Sequence, residues 1–357
     1  MKIAFFGSSI LSAYWNGAAT YYRGIVRALN GMGHSITFYE PDAFDRQAHR
    51  DLVLPAWAKV VVYPNASSAA LQQVESAGGA DWVIKASGVG VFDDLLERAV
   101  LEMRRPWQII SFWDVDAPAT LDRVQGEPDD PFKKLIPRFD MVLTYGGGKS
   151  VVDAYKKCGA RACFPIYNGF DPDTHYPVKS EKEFLADLSF LGNRLPDREA
   201  RIDEFFFRPA GALSDKRFLL AGNGWSDKPK PHNVNYLGHL FTAAHNCFNC
   251  SPLAVLNVNR HSMARYGFSP ATRVFEAAGA AACIISDNWV GIDYFFEPGK
   301  EILIANGGDE VSEMMRSLTA DTARTIGQAA YRRAQHDHTY SHRAKTLETI
   351  LKSTFGK

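Results

Sequence analysis

Ser269 and Pro270 stand just ahead of a helical pattern that carries Arg273 and, one turn further on, Glu276. Serine as N-cap with proline at the first helical position predicts a helix whose leading amides are unpaired and turned toward the preceding loop. Such an end attracts phosphate. Arg273 adds a planar charge for phosphate oxygens, and Glu276 can accept hydrogen bonds from two neighbouring sugar hydroxyls. A phosphate and a ribose are thus both provided for. Ser-Pro is also an ordinary helix start, and Arg and Glu three apart often form a solvated ion pair. The run Ala277 to Ala282, alanine and glycine throughout, favours a helix packed closely on a sheet, with Glu276 near a packed edge.

Positioning these groups requires a scaffold, and the chain supplies a repeated one. Short apolar runs alternate with helical patterns from the start: Ile3 to Phe6, Ile36 to Tyr39, Val60 to Tyr63, Trp82 to Lys85, Ile109 to Phe112, Met141 to Thr144 and Cys163 to Ile166. That rhythm predicts a parallel sheet covered by helices. It pauses at Asn168-Gly169-Phe170-Asp171-Pro172, a cluster of turn formers. It then restarts with Leu188 to Leu191, Phe218 to Ala221, Val234 to Leu237, Leu253 to Val258, Cys283 to Ser286 and Ile302 to Ala305. The fold class is therefore α/β, with two Rossmann-like parallel-sheet domains facing across a cleft. Their expected bounds are 1–170 and 171–335, with 336–357 a helix crossing back to the first domain.

Length and charge agree. A chain of 357 residues exceeds what one core usually holds, so two domains of roughly 170 residues are the default. Lys plus Arg and Asp plus Glu stand at 40 each, which argues against a nucleic-acid or anionic-membrane surface and for a small or neutral substrate. No run approaches the ~18 apolar residues of a membrane span, and the apolar stretch before Gly7 is too short for a signal peptide. A cytoplasmic location is expected, which five cysteines, an odd count, also fit. Cys247 and Cys250 form a CxxC beside His245, but Cys158 and Cys163 lack the spacing of a second ligand pair. These thiols are expected to pack rather than to bind zinc.

Open α/β sheets bind ligands beyond the C-terminal ends of their strands. Gly7 there opens a loop to Asn16-Gly17-Ala18, where a glycine lets backbone approach a ligand. Asp114 and Asp116 follow Phe112, and Gly146 to Gly148 follow Tyr145. Gly192-Asn193-Arg194, Gly222-Asn223-Gly224-Trp225 and Asn257 to Arg260 complete the set. The first loop is not GxGxxG, which disfavours a dinucleotide. Tyr14, Trp15, Trp113 and Trp225 are aromatics near the strand ends. Among them Trp225 is expected to face the nucleotide base.

In this order these residues resemble the two-domain GT-B glycosyltransferases, specifically the group that includes the spore maturation protein CgeB. The resemblance rests on Phe190-Leu191-Gly192-Asn193-Arg194, on Leu256 to Arg260 with Met263, on Gly267-Phe268-Ser269-Pro270 through Arg273 and Glu276 to Ala278, and on Phe295 to Gly299. It implies transfer of a sugar from a nucleotide-sugar, held mainly by the second domain, to an acceptor entering from the first. The acceptor is a small molecule, a glycan or a glycosylated molecule, and no cofactor is needed beside the donor substrate. Glu276 matches the second glutamate of the Glu-x7-Glu element of retaining enzymes and would hold the donor ribose. Arg194 and Arg198 match the fold's basic diphosphate-binding positions. Arg260 and Arg273 are further phosphate candidates, and Ser269 with the amides after it would stabilise the departing diphosphate. Where the first glutamate of that element would stand, this chain has Phe268, so retention of configuration does not carry over. An inverting route needs a base for the acceptor proton. Asp116 is the first candidate, with a helix cap as its plain alternative, and His34 and His261 follow.

Asp114-Val115-Asp116 also fits the metal-holding Asp-x-Asp of single-domain transferases, though such acidic triplets are common by chance. The restarted Rossmann rhythm and the available arginines favour a metal-independent route. Two other readings use the same fold: a nucleotide-sugar 2-epimerase, and a degenerate protein that binds the donor without chemistry.

Overall fold

The computed structural model describes residues 1–356 and divides into two compact units. One comprises Met1–Tyr167 and the segment from Tyr340 onward, and the other Asn168–Thr339. All thirteen apolar runs form strands. In the first unit these are β1 (Lys2–Phe6), β2 (Ser35–Pro41), β3 (Lys59–Tyr63), β4 (Trp82–Ala86), β5 (Ile109–Asp114), β6 (Met141–Thr144) and β7 (Cys163–Pro165). They form one parallel sheet in the order β3-β2-β1-β4-β5-β6-β7. In the second unit β8 (Leu188–Leu191), β9 (Phe218–Ala221), β10 (Val234–Tyr236), β11 (Ala254–Asn257), β12 (Ile284–Asp287) and β13 (Leu303–Ala305) run parallel as β10-β9-β8-β11-β12-β13. The order reverses between β1 and β4 and again between β8 and β11. Each reversal opens a crevice at the strand C-termini, where doubly wound sheets take ligands.

The central strands are apolar on both sides because helices cover both faces. In the first unit Phe5, Phe38, Trp82, Trp113 and Leu143 are buried with Tyr21, Tyr22 and Ile25 of the helix Ala19–Gly31. Trp113 donates from Nε1 to the Tyr21 hydroxyl at 2.9 Å, and that hydroxyl donates to the Ile166 carbonyl at 2.9 Å. Trp113 is thus a core residue with its polar atom satisfied. The last helix, Tyr340–Phe355, belongs to this unit and packs on Ala19–Gly31. Gly24 makes the fit: a Cβ there would lie 1.9 Å from the Tyr340 ring. The second core gathers Leu188, Phe190, Phe206, Phe218, Leu256 and Ile285 with Trp225.

Candidate functional site

In the second unit the strand-end loops lock to one another. Gly222 holds φ +123, and a Cβ there would lie 2.2 Å from the Gly192 carbonyl, so only glycine lets the loops after β8 and β9 touch. The Asn223 amide donates to Asn193 Oδ1 at 2.9 Å, and the Arg194 amide donates to the Asn223 carbonyl at 2.9 Å. Trp225 Nε1 donates to the Gly192 carbonyl at 2.8 Å. Trp225 is fully buried, its ring edge-on to Phe207. It fixes the loop from below and cannot stack on a base, contrary to the sequence expectation. The period of the strand did not reveal that the loop turns this ring back into the core.

The arginines sort by their partners. Arg194 is clasped by Glu199 at 2.8 Å and Asp227 at 3.0 Å. The Arg194 hydrogen bond, with Lys228 behind it, holds the Glu199 carboxyl down near 2. Arg260 pairs with Asp197 at 3.1 Å, and Arg201, not singled out from sequence, pairs with the buried Asp287 at 2.5 Å. The Arg198 side chain lies on the loop after β8: its Nη1 sits where a Gly192 side chain would be, 2.6 Å from the position of a Cβ. A guanidinium therefore rests on the glycine loop at the β8/β11 reversal. Gly192 is needed there to leave it room.

The helix with the leading amides is Thr272–Gly279, and its cap position is Ala271, with no side-chain cap. Ser269 is two residues too early: its hydroxyl donates to the Gly267 carbonyl at 3.0 Å, and its own carbonyl accepts from Asn259 Nδ2 at 3.1 Å. The Ser-Pro pair shapes the approach to the helix and does not cap it. Phe268 is left-handed, at φ 45, with its amide on the Val290 carbonyl at 2.7 Å and its ring filling the space beside Gly291. No carboxylate takes the place of the first glutamate there.

Glu276 is turned inward, 3% exposed. Its Oε1 lies 3.8 Å from His175 Nε2 and its Oε2 lies 3.7 Å from Arg273 Nη2. His245 completes the group, and one ligand-type atom from each of His175, His245 and Glu276 lies within 4.8 Å of the other two. Burial lowers the pKa of His245 to about 3 and also lowers that of His175, so both rings are neutral. The carboxylate expected to receive a ribose thus faces an enclosed cluster. Sequence reading missed His175, 101 positions before Glu276 in the chain, for want of any local pattern. Cys247 and Cys250 are both free thiols, Cys247 donating to Glu181 at 2.9 Å and Cys250 to the Ala280 carbonyl at 3.2 Å.

In the first unit Asp114 is fully buried and fully engaged. Its Oδ1 accepts from Ser87 at 2.7 Å, the Asp116 amide at 3.0 Å and Thr120 at 3.1 Å, while Oδ2 accepts from the Tyr155 hydroxyl. Burial raises its pKa, against those hydrogen bonds. Asp114 thus organises the β5 and β6 ends through four hydrogen bonds. Asp116, half-buried, holds the cap position of the helix Ala117–Gly126 without a side-chain cap bond. Gly17 has open space where a side chain would be. Tyr14 stacks on His49 and Trp15 is 47% exposed. His34 sits at the opposite end of the sheet, before β2, near Met1 and Glu348, and His261 is exposed.

Residues 198–349 match a glycosyl transferase-like family model. The whole fold is that of known GT-B enzymes. A sucrose-phosphate synthase from Thermosynechococcus elongatus superposes with TM-score 0.69 at 11% identity, over 100% of this chain and 99% of that one. HepE from Anabaena, solved with UDP and glucose, gives 0.66 at 14% identity, over 99% and 100%. An alpha-glucosyltransferase, solved with UDP and a DNA 13-mer, gives 0.70 at 12%, over 99% of each chain. No curated protein sequence matches the chain. Fold and family match point the same way: the chain has the GT-B fold, and its residues 198–349 carry the glycosyl transferase-like match. No helix among the described residues is long and apolar enough to cross a membrane.

Proposed function

We propose that this protein transfers a sugar from a nucleoside-diphosphate sugar, with UDP the first candidate, and that the donor's diphosphate binds at the β8/β11 reversal of the second unit. The observation that carries this is Arg198 resting on Gly192, a planar cation laid on the glycine loop. Charge develops on the diphosphate as the glycosidic bond breaks, and preorganised donors stabilise it most where they need not rearrange. The amides at the start of Thr272–Gly279 add to the same effect, and Arg260 supports the loop through Asp197. UDP is favoured because two structural neighbours were solved with it.

The transfer is read as metal-independent, since arginine and helix amides supply the positive charge and Asp114 is committed elsewhere. Asp116 is the candidate base for the acceptor, a neutral or small molecule or glycan in keeping with the balanced charge. The motif pattern supports a CgeB-like reading, and five free thiols suit a cytoplasmic enzyme. Phe268 at the first-glutamate position favours one rival, a donor-binding protein without turnover. The test is a thermal-shift screen with UDP, GDP, TDP and ADP, followed by assay of UDP-sugar turnover with acceptors. A selective shift with nucleoside diphosphate released on adding acceptor supports transfer. Binding with no turnover supports the rival, sugar conversion without release supports an epimerase, and no binding by any nucleotide sinks the reading.

A further inference from the structure

His175, His245 and Glu276 bring two ring nitrogens and a carboxylate oxygen together, with the Arg273 guanidinium beside the carboxylate. Thr174 Oγ1 donates its one proton to the Asp171 carbonyl at 3.1 Å, so at 3.0 Å from His175 Nδ1 it accepts a proton from that ring. With its Nδ1 engaged by Thr174, His175 turns Nε2 to the cluster. His245 spends its other nitrogen on the Leu240 backbone, which leaves Nδ1 as its atom without a partner. His175 Nε2 likewise has no hydrogen-bond partner, and both residues are more than nine-tenths buried. Two imidazole nitrogens and a carboxylate oxygen therefore converge out of water. A cation held between them would relieve their mutual repulsion.

We propose that His175 Nε2, His245 Nδ1 and Glu276 form a site for one divalent transition-metal ion, zinc by ligand class. Two nitrogens and one oxygen suit zinc, and each ring nitrogen turned away from the site has an oxygen partner, as metal-bound histidines almost always do. The scaffold holds the ligands in register. Asn246 Nδ2 donates to the Thr174 carbonyl at 2.9 Å and the Tyr176 amide donates to Asn246 Oδ1 at 3.3 Å, so the loop with His175 is stapled to the helix His245–Cys250. Arg273 keeps the second oxygen of Glu276. Its charge opposes the cation, so the site is weaker than a zinc cage without such a neighbour. The ion would join three separate segments of the second unit and take no part on the diphosphate.

The full chain is purified without chelator and its metal content measured, then stripped and titrated with zinc chloride and cobalt chloride. The site predicts about one equivalent of zinc per chain and a Tm raised by ~5–10 °C at zinc 100-fold above its Kd. Cobalt should show tetrahedral absorption bands that H175A, H245A and E276Q each remove. C247S with C250S, in the same chain, should keep them. Metal below about a tenth of an equivalent with no shift from either ion overturns the proposal, and so does metal lost in the cysteine variant instead. A nucleoside diphosphate whose binding needs Glu276 in metal-free protein also overturns it and returns that carboxylate to the ribose. Should the alanine variants not fold, the wild-type stoichiometry and cobalt spectrum decide alone.

Discussion

Trp225 donates its indole proton to the Gly192 carbonyl at 2.8 Å, so a core residue sets the height of the loop that carries Arg198. Trp225→Phe removes the donor, leaves a buried carbonyl short of a partner and opens a small void. The expected cost is about 1–3 kcal/mol, read as a lower urea midpoint with unchanged m-value. Nucleoside diphosphate affinity should fall with it. Full stability and affinity in this variant would detach the tryptophan from the site.

Gly192→Ala and Gly222→Ala separate binding from folding. At Gly192 the added carbon meets the movable end of Arg198 at 2.6 Å and the Phe190 ring edge at 2.9 Å, so the arginine is displaced and donor affinity drops more than stability. At Gly222 it meets the Gly192 backbone at 2.2 Å from a left-handed φ, and nothing flexible can yield. That variant should lose several kcal/mol, on the order of a strained and overpacked site. Equal behaviour of the two in denaturation and calorimetry would contradict this.

Arg198→Ala should weaken UDP binding by about tenfold or more, the scale of a lost charge-assisted hydrogen bond. Arg194→Ala should change it little, because its charge is already met by Glu199 and Asp227 at the surface, where ion pairs are screened and weak. Titration calorimetry with both variants checks the ranking. The reverse order would move the diphosphate to Arg194.

Asp116→Asn should leave donor affinity near normal and lower turnover by about 10²- to 10⁴-fold, the range for a general base. Asp114→Asn should instead destabilise the first unit, since Oδ1 and Oδ2 together hold three side chains and an amide. Wild-type turnover in the Asp116 variant removes it from the chemistry.

Glu97 gives a pH signature independent of the site. It is buried on the helix Asp93–Glu102, and desolvation raises its pKa to about 7, against the pull of Lys85. The folded chain then binds a proton that the unfolded chain, near 4.5, has released. Stability from this group is complete below about pH 4.5 and is lost as pH rises through 7. Urea midpoints measured between pH 5 and 8 should fall with pH more steeply in wild type than in Glu97→Gln. Parallel slopes would exclude the effect.

Every strand was legible as an apolar run because a strand covered on both faces needs no partner information to be recognised. The glycines at 192 and 222 and the arginines after them were likewise visible, since turn formers follow each run. Ser269 misled: two residues of local pattern cannot show that a hydroxyl is already spent on the Gly267 carbonyl.

The two-sheet α/β organisation and the set of strand-end loops are written along the chain, because hydrophobic period and turn chemistry are local properties of neighbouring residues. Which polar side chains remain for chemistry depends instead on contacts made across the fold. Trp225 turned into the core, Asp114 saturated with hydrogen bonds, Arg194 taken by two carboxylates and Arg198 laid on Gly192 are outcomes of partners distant in the chain. The meeting of His175, His245 and Glu276 is the clearest of these, since it depends on three segments whose approach is set by packing and by no pattern along the chain.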